Sequence, residues 1–357
     1  MGPLGTPVLI FAIVLSALAI GFCLTLWNRL PGPRPVRLGG RLGLIAICQV
    51  TALFFVGVLV NRSFSFYETW GDLTGEAPVT GSFTDVNPGG GPRSVSQKAF
   101  RQDGHDDTER AIVVGRQSRI KADIRVWLPP GYHDPENAAR DYPVVELFSG
   151  FPGSSMSWFR ALNVGKVMAD LIHQNKSTPF ILVSPRSNVE HGNDTECTDL
   201  PHGPKVATWL AEDVREVVTQ NFRVQPGKEG WAAMGFSTGG FCASKIVEQF
   251  PDLFAAGVSL SGHVRPTIGE VTRDPQLTRD NSPVDLLSTR PQVALLLTGT
   301  QQDHDTVTAI AAMKQSVQQP TRLFTYVLDS GGHNTRVWRT MLPRSFAWLS
   351  QELSKPR

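Results

Sequence analysis

The sequence predicts an α/β protein, a mostly parallel sheet with helices on both faces, preceded by a two-helix transmembrane hairpin. Three observations predict it. Two long uncharged runs lie near the N-terminus, at residues 8–27 and 42–60. From Ala111 onward, short apolar runs alternate with stretches of helical spacing. Within that alternation, Gly235-Phe236-Ser237-Thr238-Gly239 follows one apolar run and leads into a helical one. We therefore expect a membrane anchor over residues 1–61, a linker over 62–110 and an α/β domain over 111–357.

Each N-terminal run has about the 20 residues a helix needs to cross roughly 30 Å of hydrocarbon. Between them Asn28 to Arg41 carries Arg29, Arg34, Arg37 and Arg41, with Pro31, Pro33 and Pro35 read as preventing helix. A short Arg-rich loop stays on the cytoplasmic side, so both ends of the hairpin, and everything after Val60, are expected outside the cell membrane. A cleaved signal peptide fits poorly, because no basic region precedes the first run and a second run follows it. Neither span contains Asp, Glu, Lys or Arg, which argues against transport and for anchoring in a lipid bilayer.

Asn61 to about Asp107 holds the breaker run Pro88-Gly89-Gly90-Gly91-Pro92 and few periodic apolar positions, the pattern of a tether. Phe64, Phe66, Tyr67 and Trp70 fit a short element, either an interfacial aromatic belt or a patch packing on the domain.

In the domain, Ile120 to Leu128 alternates and stops at Pro129-Pro130-Gly131, a strand and then a turn. Tyr142 to Phe148 reads as a buried strand ended by Ser149-Gly150-Phe151-Pro152-Gly153. Ala161 to Gln174 has helical spacing, Phe180 to Ser184 is a buried strand, and Val206 to Phe222 is an amphipathic helix. Strands follow at 255–260, 293–297 and 322–328. Helices are expected at 241–250, 306–317 and 337–353.

In such a sheet the acting groups sit on loops at the carboxyl ends of strands. Gly-x-Ser-x-Gly between strand and helix lifts a serine hydroxyl above the sheet in a strained turn. The pattern alone arises by chance in roughly one such sequence in five, so its partners must decide. A nucleophilic serine needs a base, and the base needs an orienting acid, in the chain order serine, acid, histidine. After Ser237 the histidines are His263, His304 and His333. His333 follows a strand through a tight glycine turn, whereas His263 leaves no room for an intervening acid and His304 reads as surface loop. For the acid, Asp303 and Asp305 both follow the strand at 293–297, with Asp329 a third choice. Asp305 precedes a helix and fits its N-cap, which favours Asp303 as the acid. Oxyanion donors are expected from the backbone N–H of Thr238 and, in the loop after Phe148, of Phe151, since Pro152 has none.

These motifs resemble the esterase D group of the α/β-hydrolases, which also contains the antigen 85 mycolyltransferases. The resemblance rests on Leu147-Phe148-Ser149-Gly150-Phe151-Pro152-Gly153, on Gly235-Phe236-Ser237-Thr238-Gly239-Gly240, and on Gly331-Gly332-His333-Asn334 with Trp338 and Leu342-Pro343. It covers about Ser118 to Leu353. It implies an α/β-hydrolase fold and a serine esterase or acyltransferase acting on small-molecule or lipid esters, with no metal or organic cofactor. The tethered form resembles members found in actinobacteria. A non-catalytic binding module on the same fold is the alternative, and a third treats the hairpin as a partner-binding or sensing element.

Four cysteines show no zinc-type spacing. Outside the cell, Cys197 and Cys242 are free to form a disulfide; the alternative makes Cys242 a small buried helix residue. Arg186, Asp194 and Asp199 either line the substrate pocket or form a solvated polar loop. Trp158 and Trp338 either wall the pocket or pack in the core. A formal net charge of +2 over 357 residues, with no basic face interleaved with aromatics, gives no reason to expect nucleic acid.

Overall fold

The structure, a computed structural model, describes residues 5–64, 100–103, 107–190 and 192–357. The chain divides into two compact units, Met1–Val79 and Thr80–Arg357.

The first unit is a pair of helices, Thr6–Leu26 and Arg34–Phe64. They pack antiparallel: the Ser16 hydroxyl donates to the Thr51 carbonyl at 3.1 Å, and Phe11 meets Phe54 edge to face. At the far end Arg41 Nε donates to the Trp27 carbonyl and its guanidinium lies over the Trp27 ring. Both helices are long and apolar enough to cross a membrane. Their outer faces expose large apolar groups, Leu24 at 75% and Leu53 at 70% among them, a surface that water would penalise. The second helix starts earlier than expected. Pro31 and Pro33 interrupt the chain as expected, but Pro35 lies in the helix's first turn, where an absent N–H costs nothing. Arg34, Arg37 and Arg41 therefore ride on helix rather than on loop.

The second unit is built on a nine-stranded sheet in the order β1-β2-β3-β5-β4-β6-β7-β8-β9. The strands are β1 Arg101–Asp103, β2 Thr108–Val114, β3 Lys121–Trp127, β4 Val144–Phe148, β5 Ile181–Pro185, β6 Trp231–Phe236, β7 Ala256–Leu260, β8 Ala294–Thr300 and β9 Arg322–Leu328. The strands β1 to β3 and the β3–β5 pair are antiparallel; from β5 across to β9 the pairing is parallel. Alternation along β4 shows why these residues form a central strand. Val144 and Phe148 enter the core on one face, Val145 and Leu147 the core on the other, and all are fully buried. One face is covered by Val214–Asn221, Thr238–Gln249 and His304–Ser316, the other by Val164–His173 and Thr335–Glu352.

The sheet begins before the boundary expected at residue 111, because β1 and the start of β2 fall in the stretch read as linker. Thr108-Glu109-Arg110 looks like polar tether, yet it pairs with Arg125–Trp127, and Arg110 Nε meets Asp123 Oδ2 at 3.3 Å. The amphipathic stretch at 206–222 is helical but carries a π-helical turn at Trp209–Asp213. Both Asp213 carboxylate oxygens there accept backbone N–H groups of Gln117 and Ser118. Between β7 and β8 run three short helices that periodicity did not show, Gly269–Thr272, Pro275–Asp280 and Pro283–Leu286. The rest of the linker and its aromatic residues after Phe64 lie outside the described residues.

Candidate active site

The strand β6 ends in a turn that only particular residues tolerate. Ser237 sits at φ 56°, ψ −127°, a conformation that side chains rarely adopt. Its N–H donates to the Leu260 carbonyl on β7 at 2.9 Å and its carbonyl accepts from Gly240 N at 2.8 Å. A Cβ on Gly235 would lie 1.8 Å from the Gly239 carbonyl oxygen, and one on Gly239 would lie 2.1 Å from that of Phe148. Strand, helix and the neighbouring β4 thus approach so closely that only glycine fits. The helix Thr238–Gln249 starts directly after the serine.

His333 reaches the same point from the loop after β9. Gly331 (φ 122°) turns that loop, the Thr300 hydroxyl donates to its carbonyl, and its N–H donates to Gln302 Oε1 at 3.0 Å. Asn334 then caps the last helix, accepting from Val337 N at 3.1 Å. The imidazole lies between two partners: Nε2 is 2.8 Å from Ser237 Oγ and Nδ1 is 2.9 Å from Asp303 Oδ2. A carboxylate accepts only, so Nδ1 donates and Nε2 is left to accept from the serine hydroxyl. Of the three residues, His333 is the exposed one. Its ring stands edge-on to Trp338, which stacks on Phe236, which in turn contacts Trp158. Trp158 and Trp338 are both buried, so they belong to the core beneath the histidine.

The acid segment differs from expectation in one respect. The N-cap of the helix His304–Ser316 is Asp303 itself, not Asp305: Asp303 Oδ1 accepts from Thr306 N at 3.4 Å while Oδ2 faces the histidine. Asp305 is exposed in the first turn, and His304 and Asp329 are exposed too. Burial works to raise the Asp303 pKa, and the hydrogen bonds from His333 and Thr306 more than offset it, holding the carboxyl below its usual range.

The loop after β4 lies against the turn. A Cβ on Gly150 would be 3.1 Å from Ser237 Cβ, and the Phe151–Pro152 peptide is cis. Asn188, which no sequence pattern singled out, donates from Nδ2 to the carbonyls of Gly150 and Gly153 at 3.1 and 2.9 Å.

The segment Asp194–Asp199 is fixed to the helix that follows Ser237. Cys197 and Cys242 are disulfide-bonded, with S–S 2.03 Å. The fully buried Lys245 Nζ donates to the Glu196 carbonyl, Thr198 Oγ1 and Asn281 Oδ1 at 2.7–3.1 Å. Burial pulls the Lys245 pKa down to about 7 against the attraction of Glu196, Asp199 and Asp194. Glu196 accepts from Thr267 N and Oγ1 and faces His263 Nε2 at 3.2 Å, and the His263 ring stacks on Phe241. His263 is therefore committed to Glu196. Asp199 holds Thr208, and Arg186 pairs with Asp123, so both are framework residues. Asp194 accepts from Glu196 N beside Thr238, and burial raises its pKa. Among the described residues no three His, Cys, Asp or Glu side chains form a group that would hold a metal ion.

Comparison with known proteins identifies the fold and the family. An uncharacterized protein of Corynebacterium glutamicum is 26% identical over 245 residues, covering 64% of this chain; the chain spans 57% of that relative's length. Among solved structures, a ferulic acid esterase superposes with a TM-score of 0.58 at 21% identity, over 69% of this chain and 97% of the other. An S-formylglutathione hydrolase from Agrobacterium tumefaciens gives 0.59 at 14% identity, over 72% of this chain and 99% of the other. At these identities the superpositions speak to the fold, an α/β-hydrolase fold. The Esterase family model, described as "Putative esterase", matches residues 118–356, and the chain belongs to that family.

Proposed function

We propose that the chain is a serine esterase or acyltransferase held at a membrane by its N-terminal helices. The observation that carries the reading is the hydrogen-bonded line from Ser237 Oγ through His333 to Asp303, at 2.8 and 2.9 Å. In this reading His333 Nε2 takes the hydroxyl proton as Ser237 Oγ bonds to the ester carbonyl carbon. Asp303 fixes the tautomer and stabilises the imidazolium. The backbone N–H groups of Thr238 and Phe151 receive the oxyanion. His333 then returns the proton to the leaving alcohol as the C–O bond breaks, leaving an acyl-serine. Water or a second alcohol, deprotonated by the same imidazole, attacks that ester and frees Ser237. The esterase family and the named activity of one solved neighbour, a ferulic acid esterase, support a carboxylic ester as substrate. The Arg29, Arg34, Arg37 and Arg41 bias supports both ends of the hairpin lying outside, with the second unit extracellular.

The test uses the full chain in detergent micelles. A fluorophosphonate probe is expected to label Ser237, and short p-nitrophenyl esters to be hydrolysed. Ser237→Ala should abolish labelling and lower turnover at least about 10³-fold. A folded wild-type chain that neither labels nor hydrolyses would instead favour a binding module on this fold.

A further inference from the structure

We propose that Asn188 is the positioning residue of the oxyanion site: it sets the direction of the Phe151 N–H by holding the carbonyl of the same peptide unit. The inference rests on the esterase reading above. The peptide bond between Gly150 and Phe151 is a rigid plane and is trans, so its C=O and N–H point opposite ways. Asn188 Nδ2 draws the Gly150 oxygen to one side at 3.1 Å, which turns the Phe151 N–H to the other. Gly150 itself packs against Ser237, with a Cβ there meeting both Ser237 Cβ and the Phe236 carbonyl within 3.2 Å.

The same amide group also holds the Gly153 oxygen at 2.9 Å. The two ends of this turn are pressed together: a Cβ on Gly153 would lie 2.5 Å from the Gly150 oxygen. Two carbonyl oxygens converging on one point repel each other unless a donor stands between them. A carboxamide nitrogen has two hydrogens and meets both. Asp at this position would keep the size and shape while presenting acceptors to acceptors.

Asn188 is itself held from outside the site. Two residues earlier, Arg186 N donates to the Asp123 carbonyl on β3 at 2.9 Å and its Nε to Asp123 Oδ1 at 2.7 Å. The Arg186 carbonyl accepts from Trp209 Nε1 at 3.0 Å, and Ser187 Oγ lies 3.3 Å from Ser149 Oγ. The loop after β5 is thus a fixed post on which the loop after β4 leans. No other loop places a side-chain donor on Gly150 or Gly153 among the hydrogen bonds of the described residues.

The experiment compares Asn188→Asp and Asn188→Ala with wild type in the full detergent-solubilised chain, each normalised to the sites that react with a fluorophosphonate. Phenylboronic acid, whose serine adduct is a tetrahedral anion, reports the oxyanion site separately from turnover. Because the donor is misaimed rather than deleted, kcat per reactive site should fall about 10- to 100-fold, below the 10²–10³ of outright deletion. KM should stay within about twofold, phenylboronic acid affinity should fall by a factor similar to kcat, and Asn188→Ala should be less severe than Asn188→Asp. A residue that merely supports folding would reduce the number of reactive sites and leave kcat per site and boronate affinity unchanged, and that result overturns the proposal. If Asn188→Asp does not fold, Asn188→Ala decides by the same two readouts. A wild-type chain that fails to label would overturn the esterase reading, and this proposal with it; normal wild type with unaffected variants overturns this proposal alone.

Discussion

Asp303 carries two jobs on one carboxylate, and they can be separated by substitution. Oδ1 caps the helix His304–Ser316 through Thr306 N, and Oδ2 takes the His333 Nδ1–H. Asn at 303 keeps an acceptor for the cap but removes the charge and admits the wrong imidazole tautomer. Loss of the orienting carboxylate in a serine–histidine system costs up to about 10⁴ in kcat. Asp303→Asn should therefore lose about 10³–10⁴ in kcat while keeping its stability within about 0.5 kcal/mol. Asp303→Ala should lose comparable activity and, in addition, about 0.5–1 kcal/mol for the missing cap, toward the low end because the 3.4 Å cap contact is long. That is about 1–4 °C in melting midpoint for a domain of this size. The sign of the pH effect follows from the depressed Asp303 pKa. Its contribution is present above the unfolded carboxylate pKa and lost as pH falls through the folded one. The stability gap between wild type and Asp303→Asn should therefore narrow on acidification below about pH 4. The assay is p-nitrophenyl ester turnover beside thermal melts of the full chain, with Asp305→Asn as the comparison. If Asp305→Asn loses activity and Asp303→Asn keeps it, the acid is Asp305 and the reasoning fails.

Two further outcomes are expected. Glu146 on β4 is fully buried, has no hydrogen-bond partner among the described residues, and burial holds its pKa well above the ordinary value despite the nearby Arg215. A raised folded pKa gives stability that is complete below the unfolded pKa and lost as pH rises, so Glu146→Gln should gain on wild type between pH 5 and 8. The gain is at most about 1.4 kcal/mol per pH unit, read by chemical denaturation; a pH-independent difference would refute a buried neutral carboxyl. For the membrane reading, protease added to intact cells should digest the domain at residues 118–356 and spare a fragment holding the two helices. Full protection of the domain until the cells are lysed would place it inside.

What was legible in the sequence, and what was not, divides along a physical line. Central strands were readable because a strand buried on both faces is apolar almost throughout, as Val144–Phe148 is apart from Glu146. Ser237 was readable because it is bracketed by Gly235 and Gly239, where no Cβ fits, and His333 because it follows Gly331, whose positive φ turns the loop. The strand β2 was not readable, since it lies one strand in from the sheet's edge and its start, where Arg110 pairs with Asp123, looks like polar linker. The burial of Lys245 was not readable, because nothing local announces that Glu196, Thr198 and Asn281 will surround it from far along the chain. Asn188 is the extreme case. An asparagine in a polar loop has no period and no motif, and its partners lie 38 and 35 positions away. Asp303 shows a subtler failure, in which the residue was singled out but the ground for it, the cap assigned to Asp305, was misplaced by two positions.

The groups proposed to act come from four separate strand ends, and each is fixed by a different neighbour. Ser237 is tied to β7 through Leu260, His333 to the end of β8 through Thr300 and Gln302, Asp303 to its own helix, and the loop at Gly150 to Asn188. None of these anchors uses the Asp194–Asp199 segment, which is fastened instead to the helix Thr238–Gln249 by Cys242 and Lys245 and to the loop after β7 by Glu196. Residues with no shared partner have nearly additive effects, whereas members of one network do not. The molecule thus separates a chemical set, whose relative positions depend on short local contacts, from a stapled segment that stands beside it. That segment reaches the residue after the serine through Asp194 and Thr238, while the Ser237–His333–Asp303 line is held by bonds the segment does not make.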